Sequence, residues 1–240
     1  MTNIKSNDTL SHFDQRANYW NQLYKRPQFQ DRLSLFANGI KNNLSPQSPV
    51  LDYGCGTGRI AIELATYGYK IKGVDGSGEM IEKARCEAIN RKLSSVSFEV
   101  INPTTWRPQE QYEAIICSSV IEYVPDDTSL LSLFADALSP SGILMISVPY
   151  AYSIPGKVED LFHFYRNMVT TRSRRDVQFS QRRYTRTSLT QKLIEAGFDK
   201  PKWTSFEFPV FNQLGIRLSR IPFLGIMLLA HTHRNNKQHT

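Results

Sequence analysis

Cysteine is scarce in this 240-residue chain: Cys55, Cys86 and Cys117 are an odd, widely spaced set with no C-x-x-C pair. That pattern argues against a disulfide framework and leaves free thiols of the kind a reducing compartment keeps. Long apolar runs are also missing. The longest near the C-terminus, IPFLGIMLLA from Ile221, is too short to span a bilayer, and the N-terminal stretch with Asn3, Asp8 and Asp14 has no signal-peptide core. These gaps predict a cytoplasmic protein. Internal repeats are absent, and low-complexity sequence is confined to the polar tail NNKQHT. Histidine is thin: His12, His231, His233 and His239 converge in sequence with no acid or cysteine, so HTH near the chain end reads as a frayed strand end, and no metal site is expected.

A content of 40% hydrophobic residues is enough for one good core, and residues 1–240 are read as a single domain. Strands and helices alternate along it. FQDRLSLFANGIKNNL, before the turn SPQSP, reads as a helix, followed by strands at Val50 to Tyr53, Lys70 to Val74 and Val96 to Val100, with a helix from Glu79 to Arg91. YEAIICS is nearly all apolar, as a strand covered on both faces should be. DTSLLSLFADALSPSG is a helix closed by Pro140 and Gly142, and ILMISVP is the fifth strand. RTSLTQKLIEAGF is a helix with Thr187 as its N-cap and Gly197 as its end, before the strands WTSFEFPVF and GIMLLAHTH. The pattern predicts a doubly wound, Rossmann-like α/β fold: a seven-stranded mixed sheet in three α/β/α layers.

The richest stretch is LDYGCGTGRIAIELATYGYKIKGVDGS, Leu51 to Ser77, a buried strand, a glycine turn, a helix and a second strand ending in Asp75. Asp52 starts the turn, Gly54, Gly56 and Gly58 let the backbone approach a ligand, and the helix opens at about Arg59. Asp75, 17 residues after Gly58, can accept hydrogen bonds from both ribose hydroxyls, which makes the pocket one for an adenosine cofactor. The turn reads G-C-G-T-G after an acid, not G-x-G-x-x-G. An anion would be repelled by Asp52 where a sulfonium or ammonium would not.

On these motifs the chain resembles the class I S-adenosylmethionine-dependent methyltransferases, from about Tyr19 to Leu229 and most specifically between Val50 and Pro149. The resemblance implies that Asp52, Gly54, Gly56 and Gly58, with Cys55 and Arg59 beside them, hold the methionyl end of S-adenosylmethionine, and that Asp75 and Gly76 meet the ribose. Ser77, Met80, Ile101 and Asn102 would lie beside the adenine, with Asn102 accepting through its amide oxygen where relatives usually carry an aspartate. Ser118 and Ser119 would close over the methyl group with the block YEAIICSSVIEYVPDD. Many relatives have a histidine after the glutamate; Tyr123 stands there instead, which removes a histidine base from that position. S-adenosylhomocysteine would be the product.

Two segments lie outside this core. In residues 1–45, Phe13, Tyr19, Trp20 and Tyr24 recur at helical spacing and fit either a lid over the cofactor or simple packing on the outside. Residues 149–183 form an insertion after the fifth strand, with seven basic residues against three acids, a net of plus four out of the chain's plus seven. Phe162, Tyr165, Arg166, Arg174 and Arg175 are its candidate acceptor-binding residues, suited to a small acidic or aromatic molecule. A solvated arginine-rich surface or an RNA clamp are the competing readings, the latter without any recognised RNA-binding module. Arg217 and Arg220 among apolar neighbours also leave room for peripheral membrane contact.

Methyl transfer needs alignment first and a base only for some acceptors. His163 in FHFYR is the leading candidate base, with Tyr150 and Tyr152 as orienters and Glu122 and Tyr123 beside the expected methyl position. Transfer to oxygen leads and nitrogen follows. An RNA methyltransferase and a non-catalytic cofactor-binding protein are the alternatives. Neither the acceptor nor the oligomeric state follows from the sequence.

Overall fold

In a computed structural model, the protein is described at residues 14, 27–154, 157, 182–206 and 225–235. The candidate residues Tyr19, Phe162, His163, Tyr165, Arg166, Arg174 and Arg175 lie outside the described residues, as do all of 207–224 with Arg217 and Arg220.

Helix α1 spans Pro27–Lys41, with a proline at its first position, where the missing N–H costs nothing. Then come β1 (Pro49–Tyr53), α2 (Arg59–Thr66), β2 (Lys70–Asp75), α3 (Gly78–Asn90), β3 (Val96–Val100) and β4 (Tyr112–Ser118). A single 3-10 turn at Ile121–Tyr123 leads into α4 (Asp127–Ala137) and β5 (Leu138–Pro149). Helix α5 (Arg186–Glu195) and strands β6 (Lys202–Phe206) and β7 (Met227–His233) complete the described elements.

The seven strands form one sheet in the order β3-β2-β1-β4-β5-β7-β6. All neighbours are parallel except those of β7, which is antiparallel to β5 and β6. Between β1 and β4 the strand order reverses, so the loops leaving their C-terminal ends diverge and open a crevice, the place where such sheets bind ligands.

Alternation along the strands builds two separate cores. Val50, Ala114, Ile116, Ile143 and Met145 pack with Phe36, Ile40, Ile62 and Ile81 of the first three helices. Leu51, Ile115, Cys117, Leu144 and Ile146 face the other way, onto Leu130, Phe134, Leu189 and Leu193 of α4 and α5. Helix α1 lies so close to the sheet that a Cβ on Gly39 would come within 2.2 Å of the Met145 side chain.

Two local expectations change. Thr185, not Thr187, caps α5: its hydroxyl accepts the Ser188 N–H at 3.0 Å, while the Ser188 hydroxyl accepts the Thr185 N–H at 3.1 Å. Thr187 lies inside the first turn, where its hydroxyl cannot reach the orphan amides. The fifth strand starts earlier than its apolar run, at Leu138, because the Ser139–Gly142 stretch is absorbed as an irregularity between the Tyr112 and Ala114 pairings.

Candidate functional site

Strand β1 ends beneath the glycine turn, and the turn leans on β2: the Gly54 and Cys55 amides both donate to the Val74 carbonyl, at 2.8 and 3.0 Å. Gly54, Gly56 and Gly58 all have positive φ, 70°, 54° and 72°. Only one of the three faces open space. A Cβ at Gly54 would meet Val120 at 2.3 Å and one at Gly58 the Phe98 ring at 2.6 Å, whereas nothing lies within 4 Å at Gly56. The outer glycines are required by protein neighbours, and Gly56 alone lies beside space a ligand can fill.

The Asp75 carboxylate closes the turn, accepting the Gly56 amide at 2.8 Å and the Ser77 amide at 2.9 Å. Burial pushes its pKa up, the amides of Ser77, Gly56 and Gly76 hold it down, and the Asp14 charge pushes it up again. Each carboxylate oxygen keeps a further lone pair, so hydroxyl donors can still bind there. Asp14 reaches the same place from the N-terminal region: its carboxylate accepts the Ser77 hydroxyl at 2.5 Å, and Ser77 in turn caps α3 by accepting the Met80 amide. Met80 and Ile101 are buried. The Asn102 side-chain oxygen accepts from the Thr104 amide at 3.1 Å and the Thr104 hydroxyl at 2.7 Å, which leaves its amide nitrogen, a donor, for an outside partner. Arg59 pairs with Glu87 of α3 at 3.8 Å.

Across the crevice, Ser118 lies 3.4 Å from the Ser147 hydroxyl, and Ser119 has φ 57°. Glu122 is 5% exposed, and its Oε2 has no hydrogen-bond partner. Burial pushes its pKa to about 8, against the pull of its own backbone amide and of Arg32. Tyr123 follows on the same turn, half-buried. Tyr150 is buried and Tyr152 exposed, their rings edge-on at 6.0 Å, with the Lys157 ammonium 5.8 Å from the Tyr152 ring. Cys55 and Cys117 are buried, and burial raises both thiols well above the usual range, so they stay protonated.

Two residues escaped the sequence reading. Arg32 of α1 is nearly buried, donates to the Ser119 hydroxyl at 3.0 Å and lies over the rings of Phe29 and Phe206, a cation at the mouth of the crevice. Thr57, inside the turn, is buried with its hydroxyl unpartnered. Asp52, 1% exposed, also leaves Oδ2 without a partner; burial, then Asp75, raises its pKa to about 7, with the Ala61 amide pulling it down. Three of the five unpartnered buried side-chain atoms found among the described residues therefore belong to the loops that leave β1 and β4 or to the last turn of β1 itself.

A second carboxylate lies at the root of the insertion. Asp127 accepts from Tyr184 at 2.9 Å and from Lys192 at 2.9 Å, and it pairs with Arg182 at 2.7 Å. The insertion's two ends meet there: the Tyr184 amide donates to the Pro149 carbonyl at 3.0 Å, and the Ala151 amide to the Tyr184 carbonyl at 2.9 Å. Among the described residues no helix is long and apolar enough to cross a membrane.

Sheet order, reversal point and glycine turn define a doubly wound, Rossmann-like α/β protein with a ligand crevice at the C-terminal ends of β1 and β4. Within that class, residues 19–200 match the family described as a methyltransferase domain, and the chain belongs to it. It is 33% identical over 103 residues to the ubiquinone biosynthesis O-methyltransferase of Yersinia pestis (strain Pestoides F), a match that covers 42% of this chain and 42% of that protein. Among solved structures it is similar to magnesium protoporphyrin IX methyltransferase from Synechocystis PCC 6803 with bound SAH, with a TM-score of 0.72, 15% identity and coverage of 96% and 100% of the two chains. The 4+2 cyclase SpnF shares the fold with a TM-score of 0.62 and 17% identity, over 85% of this chain and 81% of its own. Fold alone therefore does not fix the reaction.

Proposed function

We propose that the protein moves the methyl group of S-adenosylmethionine to an oxygen, or secondarily a nitrogen, of a small acidic or aromatic metabolite, leaving S-adenosylhomocysteine. The observation that carries this reading is the set of unpartnered buried polar atoms, Asp52 Oδ2, Thr57 Oγ1 and Glu122 Oε2, on β1 and on the loops that leave β1 and β4, together with the open space at Gly56 of the glycine turn. Buried polar atoms in a folded protein are normally paired, so a polar ligand is the simplest way to satisfy them together. An adenosine cofactor with an amino-acid end fits: Asp75 for the ribose, Met80 and Ile101 as apolar walls for the base, Asn102 as a donor at its edge, and Asp52 with Arg32 for the charged end.

When bound, the sulfonium supplies an activated methyl group, so the chain's own contribution is alignment and exclusion of water. Glu122, held largely protonated at neutral pH by burial, suits the role of a hydrogen-bond donor to the acceptor better than that of a base. His163, Tyr150 and Tyr152 remain the candidates for deprotonating or orienting the acceptor, and the basic insertion supplies its charge preference. The curated relative, a ubiquinone biosynthesis O-methyltransferase, favours oxygen as acceptor. Residues 1–240 are taken as one methyltransferase unit acting in the cytoplasm, with the N-terminal region as its lid.

The test is transfer of labelled methyl from S-adenosylmethionine into a host extract, with small-molecule, lipid, protein and RNA fractions counted separately. Label in the small-molecule fraction is expected. Label confined to RNA overturns the acceptor class, and unimpaired S-adenosylhomocysteine binding by Asp75→Ala overturns the assignment of Asp75 to the ribose.

A further inference from the structure

We infer that Asp52 carries a proton in the ligand-free protein and gives it up when a cationic ligand docks, so that binding of the cofactor's charged end is coupled to proton release. This rests on the reading of the crevice as an S-adenosylmethionine site.

The geometry is that of a buried acid with an unpartnered oxygen beside a second acid. Asp52 sits at the buried end of β1, and its own strand contributes Tyr53 and the following turn the Cys55 thiol. Strand β2 brings Asp75, whose charge acts directly on it, and β4 brings Cys117, which feels both Asp52 and Glu122. Helix α2 offers a backbone amide, that of Ala61. Cations lie near but act elsewhere: Arg32 on Glu122 and Ser119, Arg107 on Tyr53. An ionised carboxylate with no countercharge and an unpartnered oxygen is costly in such a place, and holding a proton removes the cost. Burial and Asp75 accordingly place the titration near neutrality, at about 7. A ligand cation set beside Oδ2 reverses the balance, because the ionised form then gains a partner that the protonated form does not need.

The ligand offers two cations, a sulfonium present only in S-adenosylmethionine and an ammonium shared with S-adenosylhomocysteine. Calorimetry in two buffers of different ionisation enthalpy counts the protons exchanged by each. With Asp52 half-protonated at pH 7, roughly half a proton is expected to leave per cofactor bound, and affinity is expected to rise up to roughly tenfold from pH 6 to pH 8. Release with both ligands assigns the ammonium as partner, and release with S-adenosylmethionine alone assigns the sulfonium. Methylthioadenosine, which lacks both, is expected to bind without release, and Asp52→Asn to bind the cofactor without it. Binding with no proton exchange, or equal exchange by Asp52→Asn or by methylthioadenosine, overturns the inference and leaves the proposed function standing. Failure of all three ligands to bind overturns both.

Discussion

Asp52 and Asp127 are both shielded from water and both lie at the C-terminal side of the sheet, yet their surroundings are opposite. Around Asp127, burial pushes the carboxyl up, but hydrogen bonds from Lys192 and Tyr184 and the charges of Lys192 and Arg182 outweigh it and hold the pKa below 3.8. Around Asp52 nothing comparable is supplied, and the same burial carries the group to about 7. The protein completes the pairing where the carboxylate joins one segment to another, and leaves it incomplete where the proposed cofactor would complete it. An unpaired buried acid is thus a better marker of a site than an acid that is merely buried.

The contrast is most directly broken by substitution. Asp127→Ala should lower stability by about 3 kcal/mol, read from urea unfolding, because it removes three charge-assisted partners at once. Asp52→Asn should cost little and should stabilise the ligand-free protein above pH 7, since it removes a charge the fold does not compensate. Equal losses in the two variants would remove the distinction.

Acidity separates the two regions next. Folded-state pKa values raised from 3.8 to about 7 at Asp52 and from 4.5 to about 8 at Glu122 mean that the folded protein holds protons the unfolded chain has released. Their stabilising contribution is present below the unfolded values and is lost as pH rises toward 8. Asp127 has the opposite sign: its contribution is present above 3.8 and is lost as pH falls through its lowered folded value. Thermal unfolding of the ligand-free protein should therefore drop by several degrees between pH 5 and pH 8. The double variant Asp52→Asn, Glu122→Gln should flatten that limb, and Asp127→Asn should not.

Much of this was legible beforehand, for a local reason. The glycine turn and the succession of strands and helices rest on neighbours in sequence, and the nearly continuous apolar run of YEAIICS exposes a doubly covered strand directly. Arg32 did not show itself because a lone basic residue on an amphipathic helix looks like any solvated one until Ser119, 87 positions away, is brought to it. Asp127 was hidden likewise: an acid in a helix's first turn is expected for its dipole, and its partners Arg182, Tyr184 and Lys192 come from across the fold. The α5 cap did not separate in sequence, since Thr185 with Ser188 and Thr187 with Thr190 share the same spacing, and only the fold shows that the first pair closes the box. Thr57 was overlooked because the glycines around it draw the argument to the backbone.

Within the turn, the glycines sharpen the comparison further. Gly58→Ala meets Phe98 and Ala84 at φ 72° and should destabilise by about 2 kcal/mol. Gly56→Ala, with open space ahead of it, should cost about 1 kcal/mol in stability while removing most S-adenosylhomocysteine affinity. The smallest effect is expected of Thr57→Val: unfolding almost unchanged, and ligand affinity reduced by about 1 kcal/mol in calorimetry.

The paired bonds between Tyr184 and the Pro149 and Ala151 backbone have a consequence of an evolutionary kind. They make the chain depart from the sheet and come back at one point, so the closing of that loop is already secured by its ends, and lengthening the stretch between adds only a slowly growing entropic cost. The junction itself, Pro149 and Ala151 against Tyr184, is what β5 and α5 need in place. A scaffold with such a socket keeps its sheet and its glycine turn whatever chain joins the two ends.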